Sequence, residues 1–307
     1  MGNQFLDDLR QADVLVHVVD ASGSTNEKGE MVSAGSHDPC LDVEFLEKEV
    51  DLWYFGVVKK NWSKFARMPF ESKNKKIEAM SQNLSGIGVT AKSISIGLDK
   101  LGLGEKKLSE WTEDEMLSFA KLLRSLSKPI VVAANKADLP SAENNLKKLR
   151  EKFPGLKIIA CSAVAELTLK KAAKNGLIEY YAGNPDFKEL KELSPEQSKA
   201  LTYIKDSVLN KLGSTGVQSV LEEAVFNVLG YVAIYPAGTK TLTDSQGRVL
   251  PDCFLMPPGT TALDFAFKLH TDFGTNFIAA VDVKTRLQIG KDHVLKNRDA
   301  VEIRANK

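Results

Sequence analysis

The sequence of 307 residues has few cysteines: Cys40, Cys161 and Cys253 are far apart and odd in number. Such a set provides neither a disulfide framework nor the paired spacing of a CxxC zinc knuckle. The four histidines add no ligand spacing for zinc. We therefore expect no metal centre built from this chain's own residues, and a protein suited to the reducing cytoplasm.

Long apolar runs and a strong net charge are also missing. No stretch approaches the roughly 18 unbroken apolar residues of a membrane span. The opening MGNQFLDDLR is polar and acidic, so we expect no signal peptide. The net charge of +1 gives no global argument for binding nucleic acid. These absences predict a soluble, cytoplasmic protein that neither enters a membrane nor reads DNA sequence.

A phosphate-binding P-loop is the third absence, since no GxxxxGK[ST] run occurs in the sequence. Gly290-Lys291-Asp292 lacks both the upstream glycine and the hydroxyl residue. Two DxxG strings occur, at Asp20–Gly23 and Asp244–Gly247. The first string follows the strand that precedes a long insertion, whereas the Mg²⁺-binding aspartate of a GTPase should lie one strand earlier, so we do not assign it to Mg²⁺. The second string is typical of a turn. We therefore expect no useful GTP hydrolysis by this chain alone, since phosphoryl transfer depends on holding the phosphates.

What the sequence does contain is a set of apolar runs typical of buried parallel strands. They are VLVHVV (14–19), PIVVAAN (129–135) and KIIACSA (157–163). Helical patterns follow the second and third runs, which predicts a doubly wound α/β domain. About a hundred residues separate the first two runs, far more than one crossover helix needs. They read as an inserted helical subdomain.

Capping signals place several helices. Asp38-Pro39 begins the first helix of the insertion, and Thr112 with Glu115 forms a capping box for a later one. The stretch 85–104 predicts no regular structure. Further helix starts are expected at Ser194-Pro195-x-Gln197 and at Thr215-x-x-Gln218.

From about residue 231 the pattern changes to short strands around one helix, whose start is marked by Thr261-x-x-Asp264. This predicts a small β-grasp domain. The expected organisation is a nucleotide-binding domain of residues 1–38 and 128–230, an inserted helical subdomain of residues 39–127, and a β-grasp domain of residues 231–307.

The ends of the second and third strands carry the most informative side chains. Asn135, Lys136 and Asp138 form an Asn-Lys-x-Asp string at the carboxyl edge of the sheet, where such folds bind ligands. A carboxylate at Asp138 can accept from both the ring N–H and the exocyclic amine of guanine. Asn135 would tie neighbouring loops, and the stem of Lys136 would lie over the base. Taken alone, the string could equally be a turn with a helix cap.

One strand later comes Ser162-Ala163, which resembles the Ser-Ala turn whose backbone N–H meets the base oxygen in guanine-nucleotide-binding proteins. Two short motifs at this spacing, each ending a buried strand, favour guanine recognition over the turn interpretation. The predicted guanine site therefore consists of Asn135, Lys136, Asp138, Ser162 and Ala163.

Together these runs resemble the YchF/Obg-like class of P-loop GTPases, in its archaeal form with a C-terminal TGS domain. The matching runs are GNQFLDDLRQADVLVHVVDASG, DVEFLEKEVDLWYFG, LSGIG, ANKAD, CSAVAELTLKKAAK, GSTGVQ, FLMPPGTTALDFAFKLHTDFG and FIAAVD. The resemblance covers nearly the whole chain. It implies an α/β fold with an incomplete P-loop-GTPase-type parallel sheet, and binding of GTP and GDP.

The resemblance also implies that the chain begins just after the family's phosphate-binding part. Mg²⁺ would then be bound only where that part is supplied, and the parallel sheet would have an unpaired edge on one side. The family's link to translation, and the TGS module itself, imply contacts with RNA or the ribosome.

One basic stretch, KKNWSKFARMPFESKNKK (59–76), interleaves cations with aromatic residues, as phosphate contacts plus base stacking require. The possible RNA contacts are Lys59, Lys60, Trp62, Lys64 and Arg67. The alternative is a solvated helix end with its aromatic rings packed inward. Two hypotheses follow: a guanine-nucleotide-binding protein of the YchF/Obg-like class, or an RNA- or ribosome-binding module with a vestigial nucleotide site.

Overall fold

The computed structural model describes residues 9–67, 72–239, 242, 247–250 and 252–306. The chain divides into two compact units, residues 1–224 and 225–307. Residues 244–246 of the second DxxG string and residues 68–71 of the basic stretch lie outside the described residues.

A parallel three-stranded sheet forms the centre of the first unit, as the apolar runs predict. Its strands are β1 (Leu15–Asp20), β2 (Ile130–Asn135) and β3 (Lys157–Ala160), in the order β1-β2-β3. Every side chain of the central strand β2 is buried except that of its last residue, Asn135, which is half-buried, because both faces and both edges of β2 are covered. The α/β fold class expected from the sequence is confirmed.

The outer edge of β1 is different. Among the described residues, β1 pairs with β2 alone. On one face of this strand Val16 and Val18 are 41% and 63% exposed, while Val19 on the other face is buried. An unpaired strand edge presents backbone N–H and C=O groups to which another strand can add, and exposed apolar side chains beside that edge favour such pairing.

Within its described residues, the insertion consists of four α-helices. They are α1 (Pro39–Ala66), α2 (Lys73–Leu84), α3 (Ala91–Lys100) and α4 (Glu113–Ser127), with single 3₁₀ turns at Ser85–Ile87 and Leu108–Glu110. Asp38 caps α1 by accepting the N–H of Cys40, and Thr112 and Glu115 form the predicted capping box of α4.

Helix α3 was not predicted. It begins with a capping box between Thr90 and Ser93 and buries Ile94 and Leu98 completely. A flanking sequence rich in glycine hides this helix from pattern reasoning, whereas the packing of its apolar face against the neighbouring helices stabilises it.

A buried ion pair joins α1 to α4. The guanidinium of Arg124 donates to Asp51 at 2.7 Å and to Glu47 at 3.2 Å, and the Arg124 side chain is 8% exposed. The hydroxyl of Tyr54 adds a second link, since it donates to the carbonyl of Ile87 at 2.8 Å and lies 2.9 Å from the hydroxyl of Ser127. These contacts therefore hold α1 and α4 in a fixed position relative to each other.

Further elements surround β2 and β3. They are α5 (Ala142–Lys152), α6 (Ala163–Lys174), the two-stranded sheet of β4 (Ile178–Glu179) and β5 (Lys188–Glu189), α7 (Pro195–Ile204) with its continuation through a π turn (Lys205–Leu209) into α8 (Asn210–Leu212), and α9 (Val217–Glu222), followed by a π-helical segment (Glu223–Val228). The capping box of Ser194 and Gln197 is as predicted. A helix begins close to Thr215 as predicted, but Thr215 is not its cap: α9 begins at Val217, and the residue before it is Gly216.

The described part of the second unit contains a mixed sheet of five strands and two short α-helices. Its elements are β6 (Val232–Pro236), β7 (Phe254–Met256), α10 (Ala262–Leu269), α11 (Thr271–Thr275), β8 (Phe277–Asp282), β9 (Gln288–Ile289) and β10 (Asp299–Ala305), with strand order β7-β6-β10-β8-β9. Thr261 and Asp264 cap α10 as predicted. The helix buries Phe265 against Ile234 and Val301 of the sheet, which is the packing expected of a β-grasp domain.

Candidate nucleotide-base site at the carboxyl edge of the parallel sheet

The predicted site residues lie where the three parallel strands end. Asp20 ends β1, Asn135 ends β2, and Ser162 directly precedes α6 after β3. Because all three strands run in the same direction, these residues share one edge of the sheet.

Asn135 joins the second and third of these turns. Its side-chain Oδ1 accepts the backbone N–H of Ala163 at 3.0 Å. A backbone hydrogen bond from Ala137 to Cys161, 3.1 Å long, connects the same two turns. The Asn-Lys-x-Asp string and the Ser-Ala turn are therefore one hydrogen-bonded structure.

The backbone N–H groups of the Ser-Ala turn already have acceptors within the protein. That of Ala163 donates to Asn135, and that of Ser162 donates to the carbonyl of Thr215 at 2.8 Å. A base oxygen arriving at this turn would have to share the Ala163 N–H with Asn135.

Lys136 spans from β2 to the end of β1. Its backbone is left-handed, with φ of 60°, an uncommon conformation for a residue with a side chain. Its ammonium donates to Asp20 at 2.8 Å and to the hydroxyl of Ser24 at 3.0 Å. These bonds fix the aliphatic stem along the edge of the sheet.

Asp20 is the acceptor at the centre of this edge, a role that the sequence did not indicate. Six donors reach its two oxygens: the backbone N–H and hydroxyl groups of Ser22 and Ser24, the hydroxyl of Thr25 and the ammonium of Lys136. Burial by itself raises the pKa of the carboxyl, but the hydrogen bonds outweigh burial and hold that pKa well below its ordinary value of 3.8. In this structure groups of the protein itself occupy the acceptor positions of the Asp20 carboxylate.

Asp138 stands slightly apart from this cluster. Its Oδ2 accepts the hydroxyl of Tyr203 at 3.2 Å. Asp138 and Ser162 both line a cavity of about 440 Å³ between α6 and α7, whose other walls are largely apolar. Asn135 and Lys136 line a second cavity, of about 800 Å³, beside β1. The predicted residues therefore share one edge of the sheet, and four of them line two separate cavities.

The loop 213–216 is part of the site, although sequence reasoning assigned it only a helix start. Thr215 is fully buried, and its carbonyl is the acceptor for Ser162. Gly216 has φ of +77°, and a Cβ there would lie 2.0 Å from the carbonyl oxygen of Ala160. The two glycines of Gly213-Ser-Thr-Gly216, each at positive φ, are the signal that could have identified a tight turn here.

The five possible RNA contacts separate into two groups. Lys59, Lys60, Lys64 and Arg67 are exposed, and Lys59 forms an ion pair of 2.7 Å with Glu113. Trp62 is 8% exposed, packs on Trp111 and donates its indole N–H to the carbonyl of Leu108. Its ring cannot stack on a base in this conformation, because the protein itself covers it. Trp62 therefore agrees with the alternative interpretation, in which the aromatic rings of this stretch pack inward.

Comparison with known protein families gives two matches. Residues 133–238 match the domain described as the Obg-like GTPase YGR210-like, G4 motif-containing domain, and residues 242–305 match the TGS domain. A GTP-binding protein of Methanocaldococcus jannaschii is 40% identical over 304 residues, which are 99% of this chain and 76% of that protein. The chain belongs to the YchF/Obg-like family of GTPases.

Two further proteins are similar to this chain over nearly its whole length. The crystal structure of a GTP-binding protein from Pyrococcus horikoshii shares 42% identity and a TM-score of 0.75, over 98% of this chain and 81% of that one. The ribosome-binding ATPase YchF of Bacillus subtilis is more distant, at 24% identity over the whole chain and 76% of that protein.

Within the described residues, no helix has the length and apolar character to cross a membrane. Nor do the described residues contain a cluster of three or more His, Cys, Asp or Glu suited to a metal ion.

Proposed function

We propose that this chain recognises the guanine base of GTP and GDP through Asp138 and the Ser162–Ala163 turn. The observation that carries the proposal is the hydrogen bond from Ala163 to the side chain of Asn135, which joins the two predicted motifs into one structure. The names of the archaeal relatives, which describe GTP-binding proteins at 40% and 42% identity, support the same nucleotide.

Asp138 supplies the discrimination. An ionised carboxylate only accepts hydrogen bonds, and guanine offers its ring N–H and exocyclic amine side by side. Adenine offers an unprotonated ring nitrogen in the corresponding place, which would face the carboxylate as a second acceptor. We therefore expect guanine nucleotides to bind more tightly than adenine nucleotides, although the distant bacterial relative is named an ATPase.

Titration of the purified chain with labelled GDP, GTP and ADP tests this proposal. Asp138→Ala removes two charge-assisted hydrogen bonds, each worth about 1.5 to 3 kcal/mol, so guanine affinity should fall by about 100-fold or more. ADP affinity should not fall, because the variant removes an acceptor that faces another acceptor on adenine. Glu192→Ala, which removes a carboxylate from an exposed loop, is the matched control. Equal binding of GDP and ADP, with no effect of Asp138→Ala, would contradict guanine recognition.

The proposal covers recognition of the base and not hydrolysis. The 307 residues contain no P-loop, and the carboxylate of Asp20 is filled by protein donors. We therefore expect neither Mg²⁺ binding nor turnover from this chain alone. The domain boundaries and the cytoplasmic location given above remain predictions from the sequence.

A second function, binding of RNA or the ribosome, is favoured by the end of α1. Lys60, Lys64 and Arg67 follow one another at helical spacing of four and three residues, so they lie on one exposed face. The distant relative named a ribosome-binding ATPase supports this direction.

Neutralising Lys60, Lys64 and Arg67 together tests the second function. If these residues bind phosphates, affinity for single-stranded RNA at low salt should fall, and the slope of log K against log salt should become shallower by about 0.7 for each phosphate that is no longer neutralised. The control variant neutralises three exposed cations of α5: Lys147, Lys148 and Arg150. Equal RNA affinity of the wild type and the α1 variant would refute a role for this face.

A further inference from the structure

The carboxylate of Glu166 is buried beside the candidate base site. Glu166 is 5% exposed, and its Oε2 accepts the hydroxyl of Thr215 at 2.6 Å and the hydroxyl of Tyr180 at 2.8 Å. Its Oε1 is buried without a hydrogen bond among the described residues, and the ammonium of Lys170 lies 3.6 Å away.

A buried and incompletely satisfied carboxylate is costly to keep in a fold. Glu166 stands in the first turn of α6, whereas Tyr180 follows β4 and Thr215 belongs to the loop 213–216. One side chain therefore connects three segments that are distant in sequence. Burial, together with the hydrogen bond to Glu166, raises the pKa of Tyr180 to about 12, so this phenol stays a donor at any physiological pH.

These contacts form a closed hydrogen-bonded ring around the Ser-Ala turn. Ser162 donates its N–H to the carbonyl of Thr215 at 2.8 Å, and Thr215 donates its hydroxyl to Glu166. Glu166 closes the ring by donating its own N–H to the carbonyl of Ser162 at 3.1 Å. The turn that would meet the base oxygen is thereby fixed from behind.

We propose that Glu166 is a positioning residue for guanine recognition, which holds the Ser162–Ala163 turn in its binding geometry by fixing Thr215. This inference rests on the function proposed above. Glu166 itself touches no nucleotide; it acts through the hydroxyl and the carbonyl of Thr215. The base oxygen is the ligand group whose recognition depends on it, whereas Asp138 reads the exocyclic amine independently.

Thr215→Val tests the proposal, because it removes the hydroxyl while keeping the shape of the side chain. We expect GDP to bind about tenfold more weakly, the factor that one hydrogen bond to the base oxygen represents. IDP lacks the exocyclic amine but keeps the oxygen, so its affinity should fall by the same factor and leave the GDP-to-IDP ratio unchanged. Amide exchange at Ser162 should accelerate, and Thr215→Ser should restore all three measurements.

A purely structural role predicts something else: lower stability with unchanged nucleotide affinity and an unchanged Ser162 exchange rate in the folded protein. That result, or failure of Thr215→Ser to restore binding, would overturn the proposal. Thr215→Ala provides the same test with less bulk if the valine prevents folding. If the underlying proposal of guanine recognition is wrong, the wild-type chain will not prefer GDP to ADP, and this result is distinguishable from the effects of the Thr215 variants.

Discussion

Gly216 gives a sharp test of how the site is built. Its backbone is left-handed, and a Cβ added there would lie 2.0 Å from the carbonyl oxygen of Ala160 and 2.9 Å from Cys161. Gly213, in the same loop, has φ of +79° but no atom within 4 Å of an added Cβ. Alanine at these two positions therefore separates the cost of the backbone conformation from the cost of the close approach.

The expected losses in the free energy of unfolding differ. Gly213→Ala should cost about 1 to 2 kcal/mol, the penalty of a left-handed residue with a side chain. Gly216→Ala adds the displacement of a strand end, worth about 1 to 3 kcal/mol as overpacking, for a total of about 2 to 5 kcal/mol. It should also weaken GDP binding, because the loop holds the acceptor for Ser162.

Urea denaturation followed by tryptophan fluorescence is the appropriate assay. The three tryptophans, Trp53, Trp62 and Trp111, all lie in the unit that contains Gly216, so their signal reports the unfolding of that unit and not of residues 225–307. Equal losses for Gly213→Ala and Gly216→Ala would refute the reasoning, since the close approach to β3 would then carry no cost.

Two further predictions concern buried charges. The lowered pKa of Asp20 means that its contribution to stability is complete above its unfolded pKa, near 4, and is lost as the pH falls through the lower folded value. Asp20→Asn should accordingly reduce the acid-induced loss of stability, measured as the urea midpoint against pH, while Glu192→Asn should not. Asp51→Ala leaves the guanidinium of Arg124 buried with a weaker partner and should destabilise the first unit by about 3 to 5 kcal/mol. Replacing both residues by Met in one variant should cost less than Asp51→Ala alone, and a larger cost would argue against the desolvation account.

The parts that could be predicted from sequence are those that local chemistry determines. The strand run ending at Asn135 is apolar throughout because β2 is buried on both faces, so its pattern alone indicates the strand and its position. The capping boxes of Thr112 and Thr261 likewise need only neighbours three residues away.

The parts that were missed depend on distant partners. Thr215 resembles a helix cap in sequence, but its hydroxyl donates a hydrogen bond to Glu166, 49 residues away. The role of Asp20 requires Lys136 from the next strand, 116 residues later. For Trp62 the sequence left two interpretations, and the contacts with Trp111 and Leu108 select the one in which its ring points inward. No periodicity reports such contacts.

We expect the helical insertion to affect how the sheet is assembled during folding. About 110 residues separate the end of β1 from the start of β2, and closing so long a loop is entropically unfavourable. When α1 and α4 pair through Asp51 and Arg124, the flexible part of that loop shrinks to about 20 residues, which lowers the closure cost by about 1.5 kcal/mol. If these helices pair early, β1 and β2 should meet faster, and a substitution in the insertion such as Asp51→Ala should slow refolding of the first unit without contacting the base site, as stopped-flow tryptophan fluorescence would measure.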